Sequence, residues 1–252
     1  MNRRDLLLKT AATGALAAFP VGLRAAGHAQ DVVEFAAGGQ VVVHPVSHAS
    51  VVLETTMGTI YVDPVGSPDA YSDLPPADLI LVTHEHGDHF NADVLAAIGA
   101  GNVPMLSNPA VHGMLGEMPD SQAIGNGETA DIAGFGIEAV PAYNITPERM
   151  RFHPKGRDNG YVISVNGARI YLSGDSEDSA EMRALQGIDL AFVSMNLPFT
   201  MDAEAAASAV REFRPRAVYP YHYRGRDGGT QDPAVFADLV GDASDVRLGD
   251  WY

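Results

Sequence analysis

Four consecutive apolar residues, Leu79-Ile80-Leu81-Val82, follow a Pro-Pro pair and precede a run of polar and histidine residues. With Asp78 and Thr83 at its ends, this apolar run after a Pro-Pro turn reads as a buried strand over Asp78–Thr83. Shorter β-rich runs stand before it at Val41–Val43, Ser50–Leu53 and Thr59–Val62, separated by Gly, Pro and Ser. A helical pattern over Asn91–Ile98 and a strand at Val103–Leu106 follow. A second series then begins. Strands are expected at Gly136–Val140, Tyr161–Val165 and Arg169–Leu172, with Asn166-Gly167 marking a tight hairpin between the last two. Asp178–Leu185 reads as a helix and Leu190–Val193 as a strand. Asp202 stands where it would cap a helix over Ala203–Phe213, which Pro215 ends. Ala217–Tyr219 reads as a last strand and Pro233–Val240 as a last helix. Two sheets with helices outside would bury these faces, an α/β fold in four αββα layers.

The first 29 residues do not fit that pattern. Arg3-Arg4 precede Leu6–Leu8, and an apolar stretch from Ala11 to Leu23 is broken by Gly14, Pro20 and Gly22. It is too short to span a bilayer comfortably. Residues 1–29 therefore read as a Tat-type signal peptide, cleaved near Gly27-His28-Ala29, with a single domain over 30–252. The expected location is periplasmic or secreted, with no integral membrane segment in the mature chain.

Composition narrows the chemistry. The 252 residues are 46% hydrophobic and 19% charged, within the range of a globular domain. The net charge of −16 disfavours nucleic acid as a partner. Removing residues 1–29 would take away four basic residues and one acidic one, leaving the rest more acidic. The absence of cysteine rules out disulfides, thiolate ligands and cysteine nucleophiles.

The segment His84-Glu85-His86-Gly87-Asp88-His89 directly follows the buried strand. His84 and His86 lie two apart and point the same way if the strand geometry persists. Three imidazoles and a carboxylate within six residues are a donor set for a divalent ion, zinc first and manganese second. Asp175 follows a strand through Ser173-Gly174, and His222 follows another in Tyr-Pro-Tyr-His-Tyr. Both are candidate ligands, and a carboxylate at Asp175 could bridge two ions.

This order of motifs resembles the metallo-β-lactamase superfamily across roughly residues 40–225. The resemblance implies an αββα sandwich with one or two metal ions at one edge of the sheets. It assigns His84 and His86 to a first ion, Asp88, His89 and His222 to a second, and Asp175 to a bridge. His48 in SHASVVLE, VDP at 62–64, VPAYN at 140–144 and the Thr200–Ala206 stretch resemble the branch holding ascorbate phosphate lactonase and N-acyl phosphatidylethanolamine phospholipase D. One position departs from the pattern. The superfamily has a third histidine where this chain has Asn144. Five readings stand open: Asn144 itself ligates through its carbonyl (a poorer donor than imidazole), His153 replaces it, the first ion is weakly held, only one ion binds, or His153 contacts substrate.

Asp63, Thr83 and Glu85 are candidates to orient the ligands, and His48 to line the pocket. His44, His112 and His28 carry no pattern. The resulting expectation is an exported metal-dependent hydrolase of small molecules. Metal-activated water, oriented by Asp88 or Asp175, would attack an ester, lactone or phosphodiester. His153, Tyr143, Tyr221 or Tyr223 would assist the leaving group. Arg149, Arg151, Lys155 and Arg157 would favour an anionic substrate. An iron-dependent redox enzyme on the same fold, or a periplasmic metal- or ligand-binding protein without catalysis, are the alternatives.

Overall fold

The computed structural model describes residues 30–99, 102–116, 120–224 and 231–252. The expected signal peptide, and His28 with it, lie outside the described residues.

The first half of the chain builds one seven-stranded sheet in sequential order. Its strands are β1 (Asp31–Glu34), β2 (Gln40–Ser47), β3 (Ser50–Thr55), β4 (Gly58–Val62), β5 (Leu79–Val82), β6 (Met105–Ser107) and β7 (Ser121–Ala123). The first four are antiparallel, whereas β4 to β7 run parallel. Helices α1 (Ala92–Gly99) and α2 (Pro109–Met114) make parallel crossovers. The second half builds the other sheet in the order β14 to β8. It comprises β8 (Thr129–Ile132), β9 (Phe135–Ala142), β10 (Asp158–Val165), β11 (Ala168–Leu172), β12 (Leu190–Ser194), β13 (Ala217–Tyr221) and β14 (Asp245–Val246). Helices α3 (Ala180–Arg183), α4 (Ala203–Phe213) and α5 (Pro233–Val240) belong to this half.

Side-chain alternation sorts the core into three interfaces. Leu79 and Leu81 point between the sheets, where they join Ile170, Leu172, Leu190, Phe192 and Tyr219. Ile80 and Val82 point outward and pack with Val94 and Leu95 of α1 and Val111 of α2. Tyr171, Ala191, Val193 and Val218 point outward from the second sheet onto Met182, Ala206, Val210 and Phe236. One interface lies between the sheets and one lies under each helical layer. Together they make the four-layer αββα sandwich expected from the sequence.

The local signals act as expected at several points. Asn166 and Gly167 both take positive φ, at 49° and 85°, and close the β10–β11 hairpin. Asp202 accepts the Ala205 N–H at 2.8 Å and starts α4, and Arg214 ends it in the left-handed region. The expected helix over Asp178–Leu185 is shorter. Ser179 caps it by accepting the Met182 N–H, so only the turn Ala180–Arg183 is helical. Asp178 instead pairs with Arg183. Among the described residues, no helix is long and apolar enough to cross a membrane.

Candidate metal centre

All the candidate ligands leave the same edge of the sandwich. β5 is flanked by parallel neighbours and fully buried, so its end is fixed. The chain then turns tightly, with the N–H groups of His89 and Phe90 both donating to the His86 carbonyl, at 2.9 and 2.8 Å. This turn brings three rings together. His84 Nε2 lies 3.1 Å from His86 Nδ1, and the His84 and His89 ring centres are 4.0 Å apart. From the second sheet, Asp175 follows β11 and His222 follows β13. The turn before Asp175 requires glycine. Gly174 sits at φ +57°, and a Cβ there would meet the Asn159 carbonyl oxygen at 2.6 Å.

His153 completes the first group. It arrives on the 143–157 connection between β9 and β10, and its ring centre lies 5.1 Å from that of His84 and 4.8 Å from that of His86. His84, His86 and His153 each offer one donor atom within 4.8 Å of the others. Asn144 turns its amide N–H groups to the backbone, while its Oδ1 is buried without a hydrogen-bond partner. Its Nδ2 donates to the carbonyls of Arg149 at 2.9 Å and Phe199 at 2.7 Å. Of the residues named at this position, His153 is the one brought together with His84 and His86.

Asp175 lies between two groups. Its Oδ2 is 3.4 Å from His153 Nε2, while its Oδ1 is 3.4 Å from His89 Nε2 and 3.5 Å from His222 Nε2. Asp88 Oδ2 lies 3.5 Å from His222 Nε2. The buried atoms His89 Nε2, Asp175 Oδ1 and His222 Nε2 have no hydrogen-bond partner. Buried polar atoms seldom remain so. Their separations match the edge of a tetrahedron of donors about 2.1 Å from a shared centre, the bond length of zinc to nitrogen or oxygen. The donor set and its spacing therefore fit divalent ions.

Neighbouring groups fix the rings. Asp63 Oδ2 lies 2.7 Å from His89 Nδ1, and both Asp63 oxygens also accept from Thr83, from its N–H and its hydroxyl. That hydroxyl lies 3.0 Å from His84 Nδ1. Asp63 and Thr83 thus meet the rings of His84 and His89 directly, whereas Glu85 pairs with Arg157. Asp158 Oδ2 holds His153 Nδ1 at 2.9 Å, and Arg157 clamps Asp158 in turn. The Asn196 amide meets His222 Nδ1 at 2.8 Å. His48 reaches Asp88 through Nε2 at 3.3 Å and the Tyr252 hydroxyl through Nδ1 at 2.9 Å. Its ring packs 3.9 Å from that of His222, closer to the donors than a mere pocket wall. His48, Asp63 and His222 all take positive φ, so strained backbone gathers at this edge.

Burial and neighbouring charges shift these donors in different directions. Burial drives the His84 pKa well below its ordinary value, with the nearby His89 charge adding to the effect. Burial also opposes charge on His89, but Asp175 and Asp63 outweigh it and push the His89 pKa well above the usual range. Burial would raise the Asp175 pKa, yet the charges of His222 and His89 hold it far down. Asp88 is held down likewise, against burial, by its close contacts with the His222 and His48 rings. The carboxylates are thus kept in their ligating form.

The profile of the beta-lactamase superfamily domain matches residues 43–222, the span that carries these motifs. The chain belongs to this superfamily. A UPF0173 metal-dependent hydrolase of Thermococcus kodakarensis is 34% identical over 210 residues, covering 80% of this chain and 92% of the relative. A crystallised protein of Parabacteroides distasonis, named for metal-dependent hydrolysis, is 37% identical with a TM-score of 0.80. The match covers 89% of this chain and all of that one. Igni18, a metallo hydrolase of Ignicoccus hospitalis, shares the fold at 22% identity and a TM-score of 0.69, over 88% of this chain and 96% of its own. The protein is a metal-dependent hydrolase of the metallo-β-lactamase fold.

In this superfamily member the donors open into a cleft of about 720 Å³, lined by His48, His86, Asp88, Phe152, Phe199 and Arg224 among others. Two expectations are corrected here. The basic residues of 149–157 are mostly spent on neighbours: Arg149 pairs with Glu177, Lys155 with Glu181, and Arg157 with Asp158 and Glu85. Tyr143, Tyr221 and Tyr223 do not line the cleft. Tyr143 donates to Glu181, Tyr221 is fully buried, and Tyr223 packs against Tyr252. Sequence reading also missed Asp158, Asn196, Glu177 and Arg224. Only Asp158 left a trace, as an acid five residues after an unplaced histidine.

Proposed function

We propose that His84, His86 and His153 hold one divalent ion and Asp88, His89 and His222 a second, with Asp175 between them. Two imidazole-rich sets favour zinc, and the carboxylates also suit manganese. When bound by these residues, such ions would supply a water of near-neutral pKa and polarisation of a carbonyl or phosphoryl oxygen. The reaction is hydrolysis of a small-molecule ester, lactone or phosphodiester in the cleft.

The chain's own residues divide the work. Asp63, Asp158 and Asn196 fix the three imidazoles that come from different elements. Asp88, whose side chain is 49% exposed, presents its carboxylate to the cleft, where it would orient water. His48 and Tyr252 hold Asp88 in that position. Phe152 and Phe199 exclude bulk water from part of the cleft.

The convergence of orphaned buried atoms from His89, Asp175 and His222 carries this reading. Elemental analysis of the purified protein should find bound transition metal. A chelator should abolish hydrolysis of an ester, lactone and phosphodiester panel, and added zinc or manganese should restore it. His86→Ala, Asp88→Ala and Asp175→Ala should each cut turnover by orders of magnitude, and His44→Ala and His112→Ala should not. Failure to take up metal, or equal effects across both groups, would overturn the assignment.

Arg3-Arg4 before an apolar run supports export of the folded protein to the periplasm. Replacing both with Lys should retain the precursor inside the cell, and normal delivery of that variant in fractionation would refute the export reading.

A further inference from the structure

The cleft holds one cation for which the metal chemistry has no use. Arg224 lines it beside His222. Among the described residues, Arg224 is in no ion pair, and its guanidinium makes no hydrogen bond. Its position is nevertheless fixed. The guanidinium stacks 4.2 Å from the centre of the Tyr252 ring, and the Arg224 N–H donates to the Tyr252 hydroxyl at 3.3 Å. The same hydroxyl steadies His48. One side chain therefore ties the cation to the donors.

Among the described residues, the other arginines and the lysine near this edge are bound up in pairs with acids, except Arg151, which stacks on Phe152 and does not line the cleft. A chain with a net charge of −16 repels anions over most of its surface. Arg224 breaks that field at the cleft. A planar guanidinium held against an aromatic face presents paired N–H groups that match a carboxylate or phosphate. The cleft is also lined by Phe152 and Phe199, packed edge to face at 5.0 Å, which offer an apolar surface.

We infer that Arg224 is a specificity-determining residue, and that the substrate is an amphipathic anion: an apolar segment against Phe152 and Phe199, with a carboxylate or similar anionic group on Arg224. This rests on the hydrolase reading of the same site.

Two arms test it. In the first, binding of 4-phenylbutyrate and its neutral amide to the metal-free protein is measured by calorimetry. The acid should bind wild type about tenfold or more tightly than the amide, because a hydrogen-bonded charge is worth that much. Arg224→Ala should erase the preference, Arg224→Lys should keep part of it, and Phe199→Ala should weaken both probes together. Equal binding of acid and amide by wild type, or a preference unchanged in Arg224→Ala, would overturn the inference. In the second arm, the metal-loaded protein is offered the 4-nitrophenyl monoester of glutaric acid and neutral 4-nitrophenyl butyrate. The ratio of kcat/KM for anionic over neutral ester should fall about tenfold in Arg224→Ala, through KM. An unchanged ratio counts against Arg224. Absence of turnover with either ester, alongside an Arg224-dependent preference in the binding arm, would sink the esterase reading while leaving the anion site standing.

Discussion

The backbone N–H of Asn144 donates to the carbonyl of His153 at 2.9 Å. The residue that stands where the superfamily has a third histidine is thereby bonded to the residue that lies beside His84 and His86. Asn144 also donates through Nδ2 to Arg149 and Phe199, so it pins the connection that delivers His153 and the segment that carries Phe199. Its work is to hold the loop.

Metal stoichiometry should separate these two residues. His153→Ala should lose the ion of the first group. Asn144→Ala should keep both ions and instead lose about 1–3 kcal/mol of stability, because two buried carbonyls lose their donor. Titration with zinc, paired with thermal melts, reads both. A loss of metal in Asn144→Ala without a loss of stability would place the amide among the ligands.

Asp63 and Asp158 should tune affinity from behind the rings. Asp63→Asn and Asp158→Asn should each weaken metal binding about 10- to 100-fold, as removal of a partner behind a histidine ligand does elsewhere. Competition with a chromogenic chelator measures this. Asp63→Asn should affect the group containing His89, and Asp158→Asn the group containing His153. A uniform effect on both ions would contradict the separate placement.

Glu177 gives the loop a pH limit. It is buried and accepts the N–H groups of Ile145 and Thr146 at 2.7 and 2.6 Å, and Arg149 at 2.8 Å. Burial raises its pKa, but the Thr146 and Arg149 hydrogen bonds prevail and bring it below the ordinary 4.5. A depressed carboxylate pKa contributes stability above the unfolded value and loses it as pH falls through the folded one. Wild type should therefore be more stable than Glu177→Gln at pH 7. The gap should narrow below pH 4.5. Melting temperatures of both proteins along a pH series check this, and a constant gap would refute it.

Gly174→Ala should be costly. The left-handed φ and the 2.6 Å approach to the Asn159 carbonyl both oppose a Cβ. Together they should remove about 2–4 kcal/mol of stability and displace Asp175. Denaturant titration gives the first effect and metal titration the second. A stable variant with full metal content would show that the turn can relax.

The legible part of this protein was local and periodic. Leu79–Val82 announced a buried strand, and His84–His89 lay directly behind it, so one pattern fixed both element and chemistry. The edge strands β1, β7, β8 and β14 escaped because two to four residues carry too little periodicity. The helix α2 escaped although Asn108 caps it and Pro109 opens it, because only six residues follow. The fate of Arg149, Lys155 and Arg157 was hidden for a different reason. Their acids Glu177, Glu181 and Glu85 are distant in sequence, and only the folded chain brings the pairs together. Arg224 is the converse, a cation marked out by the ion pairs it lacks among the described residues.

The two sheets come from successive halves of the chain, and each half supplies part of the donor set. His84, His86, Asp88 and His89 stand on one side, with His153, Asp175 and His222 on the other. An ion held by both groups would stitch the halves together at one edge, as a covalent cross-link would. This chain has no cysteine with which to make such a link. Metal loading would then act as a clasp on a seam already closed by the apolar residues packed between the sheets.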